Sequence, residues 1–158
     1  MKKLFALFLA LSILFTVSGC GFRPNMPFNG DIEFHDLALT IPASFIRDST
    51  QSDDDLWLFE KGFYDQLIIL SRQDLVGDEA ATLDDYAAYL SEQGAEVSRT
   101  SFLQRDAVHS AYTREEQFCQ EIVFIHNESI YAIALRDGTQ EEFFDFLKTV
   151  AMKADKDR

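Results

Sequence analysis

The sequence predicts an α+β domain, a mainly antiparallel β-sheet of six to seven strands covered by two helices. Three observations carry this. From residue 32 onward, most runs alternate apolar and polar residues and are rich in β-branched and aromatic types, the pattern of half-buried strands. The connections between neighbouring runs are short and turn-like, which favours hairpins and an antiparallel sheet. Two segments depart from this pattern, repeat at helical spacing and open on a threonine.

Taken in order, residues 32–41 alternate, with His35, Leu37, Leu39 and Ile41 on one face and Asp36, Ala38 and Thr40 on the other. Pro42 stops the run because proline cannot donate to a ladder. Residues 48–55 form a polar loop holding Asp48, Asp53, Asp54 and Asp55. Residues 56–61 and 66–72 are β-rich and joined by a short Gly-containing link, the signature of a hairpin. Over residues 82–93, Leu83, Tyr86, Ala87 and Leu90 recur at helical spacing, with Thr82 as N-cap, Asp84 and Asp85 in the first turn and Gly94 as the stop. Residues 96–102, 107–114, 117–126 and 129–136 read as strands, the last two turning at His126, Asn127 and Glu128. Thr139 and Glu142 form a capping-box pattern. The stripe Phe143, Phe146, Leu147 and Val150 follows as a C-terminal helix.

The N-terminus reads differently. Lys2 and Lys3 precede an apolar run over residues 4–17, and Ser18-Gly19-Cys20 closes it. A basic start, an apolar stretch of about 7–15 residues and a small-residue cleavage site make a secretory signal. The run is shorter than the roughly 20 residues needed to span a bilayer, contains Ser12 and Thr16, and lacks a basic stop-transfer cluster. With cysteine at its end it resembles a bacterial lipoprotein signal with a lipobox. That resemblance implies cleavage between Gly19 and Cys20 and diacylglycerol on the Cys20 thiol. Each buried methylene contributes about 0.8 kcal/mol, so two or three acyl chains anchor stably where one does not. The expected organisation is a signal peptide over 1–19, a lipidated cysteine and flexible tether over 20–30, a single α+β domain over 31–153 and a charged tail over 154–158. The expected location is the extracytoplasmic face of a bacterial cell membrane, with the lipid as the membrane contact.

The formal charge is −13, and removing Lys2 and Lys3 with the signal takes it to −15. An acidic domain of this kind is unsuited to nucleic acid or anionic lipid headgroups. Once Cys20 carries lipid, Cys119 is the remaining cysteine, so no intramolecular disulfide is expected. Its strand-like surroundings, without a neighbouring basic residue, favour a buried, unreactive thiol.

The run Leu39-Thr40-Ile41-Pro42-Ala43-Ser44-Phe45 is similar to the Leu-x-Ile-Pro-x-x-Phe opening of PsbP-like domains. Those domains continue with a hairpin, a helix that begins here near Thr82, an antiparallel meander and a closing helix. The resemblance spans about residues 31–153. It implies an α/β/α sandwich and a non-enzymatic binding or assembly module. The family's metal and subunit contacts have no matching residues in this chain.

Few residues carry chemistry. No Gly-x-Ser-x-Gly elbow, phosphate loop, His-Glu-x-x-His or Cys-x-x-Cys is present. His35, His109 and His126 have no serine or carboxylate at a recognised spacing, so no catalytic residue and no cofactor beyond the Cys20 lipid is expected. Asp53, Asp54 and Asp55 are weak metal candidates, because the loop lacks the calcium-loop order and a distal bidentate glutamate; a solvated loop is the plainer reading. Trp57 and Phe59 share a face, as core residues of the hairpin would. Phe63 and Tyr64 at its tip form a possible partner contact. The expected function is a membrane-anchored binding or assembly module for another envelope protein. A small-ligand or divalent-metal-binding lipoprotein is the alternative, and a hydrolase ranks behind both. A deep pocket containing His35 or His109 would favour ligand binding or catalysis.

Overall fold

Two sheets and two helices make up the described part of the chain, residues 30–49, 51–62, 65–75, 82–114 and 116–153 of a computed structural model. The order is β1 (Gly30–Phe34), β2 (Leu37–Ile41), β3 (Ile46–Arg47), β4 (Leu56–Lys61), β5 (Gln66–Asp74) and α1 (Leu83–Glu92). It continues with β6 (Glu96–Phe102), β7 (Arg105–Arg114), β8 (Gln117–His126), β9 (Ser129–Arg136), α2 (Gln140–Leu147) and β10 (Ala151–Met152). The expected signal segment, Cys20, the tether up to residue 29 and the tail over 154–158 lie outside the described residues; Gly30, expected at the end of the tether, begins β1.

The larger sheet has seven strands in the order β3-β4-β5-β9-β8-β7-β6, and every neighbouring pair is antiparallel. The fold class is therefore the expected one, with a second, three-stranded sheet β1-β2-β10 in addition. One face of the large sheet meets this small sheet and α2. Phe34, Leu37, Ile41, Phe59, Phe124 and Phe143 are almost wholly buried between them, each stabilising by roughly 1.5–3 kcal/mol. The opposite face is covered over β6, β7 and β8 by α1. There Tyr86 and Leu90 pack on Val123, Ile130 and Ala132.

Two readings need correction. The single strand expected over residues 32–41 is a hairpin of β1 and β2. His35, at φ 51°, and Asp36 reverse the chain and bring Phe34 opposite Leu37 and Ile32 opposite Leu39. The two-residue turn leaves all four apolar side chains on one face and removes His35 from it. The C-terminal helix also stops earlier than the stripe suggests. Helix α2 ends at Leu147, the Thr149 hydroxyl bonds the Phe146 carbonyl at 2.8 Å, and buried Val150 leads into β10 beside β2.

Both helix starts are capping boxes. Thr139 Oγ1 accepts from the Glu142 amide at 3.1 Å while the Glu142 carboxylate accepts from the Thr139 amide at 2.8 Å. Thr82 and Asp85 repeat the arrangement at α1. These bonds satisfy amides that helical geometry leaves unpaired.

Beneath α1 lies a polar group the sequence reading passed over. Glu121 of β8 is fully buried on the same face as Cys119 and Val123. Its Oε1 accepts from the Tyr86 hydroxyl at 3.1 Å and the Ser110 hydroxyl at 2.9 Å. Its Oε2 has no partner among the described residues. Burial pushes the carboxyl up to about 7 from its ordinary 4.5, against the opposing effect of the Ser110 and Tyr86 bonds.

Two outcomes follow from this packing. Thr139→Ala should lower the unfolding free energy by about 1 kcal/mol, read as a reduced urea midpoint at unchanged slope. Glu121 holds its proton more tightly folded than unfolded. Its contribution to stability is therefore greatest below pH 4.5, falls as the pH rises to about 7 and is level above that. Glu121→Gln should remove this fall, so the stability difference between variant and wild type should grow by a few kcal/mol across that window. A difference that does not change with pH would show that Glu121 is not the titrating group.

Candidate functional site at the β6 edge

The structure gathers several of the sequence candidates at one end of the molecule, as a network of fixed polar contacts. His35, in the β1–β2 turn, places Nε2 2.8 Å from the Asp54 carbonyl oxygen and 3.1 Å from Asp55 Oδ1. Arg72 of β5 donates to Asp55 at 3.2 Å and pairs with Asp74. Tyr131 donates to Asp36 Oδ2 at 3.0 Å, with His126 Nε2 3.8 Å from the same oxygen. Asp53 Oδ1 accepts from the amides of Asp55 and Leu56 at 2.9 and 2.7 Å, a side-chain turn typical of aspartate. These contacts clamp the small sheet's turn to the ends of β5, β8 and β9.

Asp48 is not part of a solvated loop. It is 1 % exposed, and its Oδ1 accepts from the Gln51 amide at 3.3 Å. Asp53 and Asp55 have carboxylate oxygens committed to backbone amides, Arg72 and His35. No group of three or more His, Cys, Asp or Glu among the described residues could hold a metal ion. Cys119 is fully buried on the α1 face of the large sheet, and burial pushes its thiol up to about 12. A thiol so rarely ionised is a poor nucleophile.

Trp57 and Phe59 behave as core. Phe59 is buried; Trp57 packs edge-on against Phe34 at 5.3 Å, with the Arg47 guanidinium over its ring at 3.9 Å. Phe63 and Tyr64, the expected contact pair, lie outside the described residues.

His109 stands apart from the other histidines. It lies on β7, opposite Ser98 of β6, on the face that carries α2. Its ring stacks on Phe143 at 5.9 Å and tilts against Phe144 at 5.4 Å. Burial lowers its pKa below the ordinary histidine value, so the ring is neutral at pH 7. Its Nε2 is buried without a hydrogen-bond partner among the described residues, as is Nε2 of Gln120 on the adjoining strand. Buried polar groups are normally paired, and each exception calls for an explanation.

Two adjoining hollows of about 520 and 450 Å³ share Ser98 and His109. The larger reaches Gln120 and Phe118, the smaller Phe144 and Lys148. Phe118 and Phe144 are also the exposed large apolar side chains among the described residues, at 37 and 40 %. The hollows lie between α2, whose Phe143 and Phe144 rest on His109 of β7, and the small side chains of β6.

Some of this was readable in advance. Phe143 and Phe144 are consecutive, so a helix that buries one turns the other outward. A glutamate within the apolar run 118–125 was a signal for Glu121. The gathering of His109, Gln120, Phe118 and Phe144 from two strands and a helix has no sequence signature, because it depends on strand order.

The sequence matches no protein-family model and no curated protein. Its structure is similar to the solution structure of cyanobacterial PsbP from Synechocystis sp. PCC 6803, at 11% identity over 86% of this chain and 99% of that one, with a TM-score of 0.57. It is also similar to a crystal structure of a Bacteroides thetaiotaomicron VPI-5482 protein, at 12% identity over 78% of this chain and 47% of that one, with a TM-score of 0.51. At such identities the likeness concerns the fold, and the fold of this chain is PsbP-like.

Proposed function

We propose that the chain is a non-enzymatic binding or assembly module, held at the extracytoplasmic face of a bacterial membrane by lipid on Cys20, whose partner is another envelope protein. The observation that carries the binding role is the β6 edge, where two half-exposed phenylalanines flank hollows floored by His109 and Gln120. Exposed aromatics beside a polar rim are typical of partner sites. Of the chemically capable groups, Cys119 and Glu121 are buried, His35 and His126 are held in the contact network, and His109 lines the hollows. The PsbP-like fold supports the reading at the level of architecture, since fold alone does not fix a task. The anchor rests on the sequence from Lys2 to Cys20.

A small ligand seated in the same hollows is the second reading, favoured by the unpartnered nitrogens of His109 and Gln120.

A photo-crosslinking residue at position 144, used in native membranes, should trap a discrete envelope protein. Phe118→Ser should reduce trapping about tenfold while lowering the melting temperature by only a few degrees, because this side chain is 37 % exposed. Trapping that survives Phe118→Ser undiminished would move the contact elsewhere. Intact mass of the membrane-extracted protein should show loss of residues 1–19 and an acylated Cys20, and Cys20→Ala should release the domain from the membrane. A Cys20→Ala protein that stays anchored and correctly processed refutes the lipid assignment.

A further inference from the structure

We propose that the free edge of β6 is a strand-addition site, where an extended basic segment of the partner pairs with β6 and sends alternate apolar side chains across it towards His109 and Phe144. The proposal rests on the binding-module reading and specifies its mode.

Strand β6 ends the seven-stranded sheet and pairs with β7 along its whole length, Glu96 to Phe102. In an antiparallel edge strand, about half of the backbone N–H and C=O groups point outward. Those of β6 meet no partner among the described residues. Proteins usually guard such an edge with charged side chains, a proline, a bulge, a very short strand or a covering element. The opposite edge follows that rule, since β3 is two residues long. Strand β6 has seven residues, contains neither proline nor glycine, and is exposed at most positions; of its two charged residues, Arg99 is tied to Asp84 and Glu96 stands at the strand's start.

The side chains fit an added strand. On the α2 face β6 presents Ser98 and Thr100, opposite His109 and Ala107. Both are small, so a large side chain on a neighbouring strand can lean over them and reach His109 and Phe144. On the other face Val97 packs towards α1, and Arg99 is paired with Asp84.

Charge selects the occupant. Glu92, Glu96 and Asp106 stand exposed around this edge, beside an Asp84 that is paired with Arg99. The nearby cations are engaged, Arg99 by Asp84, Lys148 by Asp145 at 2.6 Å and Arg105 by the Leu103 carbonyl at 2.8 Å. An acidic rim attracts a basic segment. A second processed copy of the chain would bring the same rim and another net charge of −15, the −13 of the full chain less Lys2 and Lys3, so the fit is to a different protein. The segment pairs through its main chain and is read through its alternate side chains. Seven residues of β6 match a partner stretch of about 24 Å.

The probe is an eight-residue peptide alternating lysine with valine or phenylalanine, added to the full chain extracted in detergent with its native processing. Hydrogen exchange of residues 96–102 should slow at least tenfold on binding, with β4 unchanged. Methylating the peptide amides that face β6, or replacing lysine by glutamate, should each weaken binding by about tenfold or more. Phe144→Ala, at a half-exposed position that should not disturb folding, should do the same. Binding that tolerates amide methylation, or leaves exchange at 96–102 unchanged, overturns strand addition. Protection of 96–102 that grows with protein concentration in the absence of peptide also overturns it, by giving the edge to a second copy. A native partner whose crosslinks spare β6 overturns this mode and leaves the binding-module reading standing; no partner and no peptide binding defeat both.

Discussion

The structure depends on the burial of one sheet from both sides. Strand β9 is buried at all eight of its positions, and in the large sheet it lies between β5 and β8. A strand of this kind must be roofed on each face, because an uncovered apolar face would remain in water. Helix α1 supplies part of one roof; α2 and the small sheet supply the other. The short elements follow from this requirement. The β1–β2 hairpin and β10 are too small to be stable alone and persist by lying on Phe59, Ile68 and Phe124.

The same arrangement accounts for the functional surface. Helix α2 is eight residues long, about 12 Å at the usual helical rise, while seven strands at about 4.8 Å spacing span nearly 30 Å. One short helix and a three-stranded sheet cannot cover that width. The uncovered margin falls at β6, whose residues lining the hollows are mostly polar (Glu96, Ser98, Arg99, Thr100 and Ser101), with Val97 and Phe102 as the apolar ones. The margin is hydrophilic enough to remain in water, yet it adjoins aromatic residues. The polar contacts at the other end, from His35 through Asp55 and Arg72 to Tyr131, do structural work by fixing the small sheet's turn.

Most of the fold was legible in the sequence because local rules agreed with the global arrangement. The two capping boxes, the meander from residue 96 to 136 and the β4–β5 hairpin are each specified within a few neighbouring residues. The missed turn at His35 and Asp36 was also visible. Buried apolar residues run 32, 34, then 37, 39, 41, and that change of parity is what a two-residue turn leaves behind. The candidate site was not legible for a physical reason. Its groups belong to different elements, and only the order of strands decides that β6 is an edge or that His109 lies beneath Phe144. Glu121 was hidden in another way, since its environment comes from Tyr86, 35 residues away.

The pairing of β5 with β9 also bears on how the chain reaches this state. Their partners lie 55 to 69 positions apart, from Asp74 with Ser129 to Leu67 with Arg136, whereas the β6–β9 ladders close between neighbours in sequence. Local pairings form early and distant ones must wait for loop closure. The β4–β5 hairpin and the four-strand meander are therefore two halves that meet along a single late seam. Until that seam closes, β5 carries an unpaired row of backbone N–H and C=O groups flanked by the apolar side chains of Leu67 to Leu70, and the chain cannot complete its sheet before Arg136 has been synthesised.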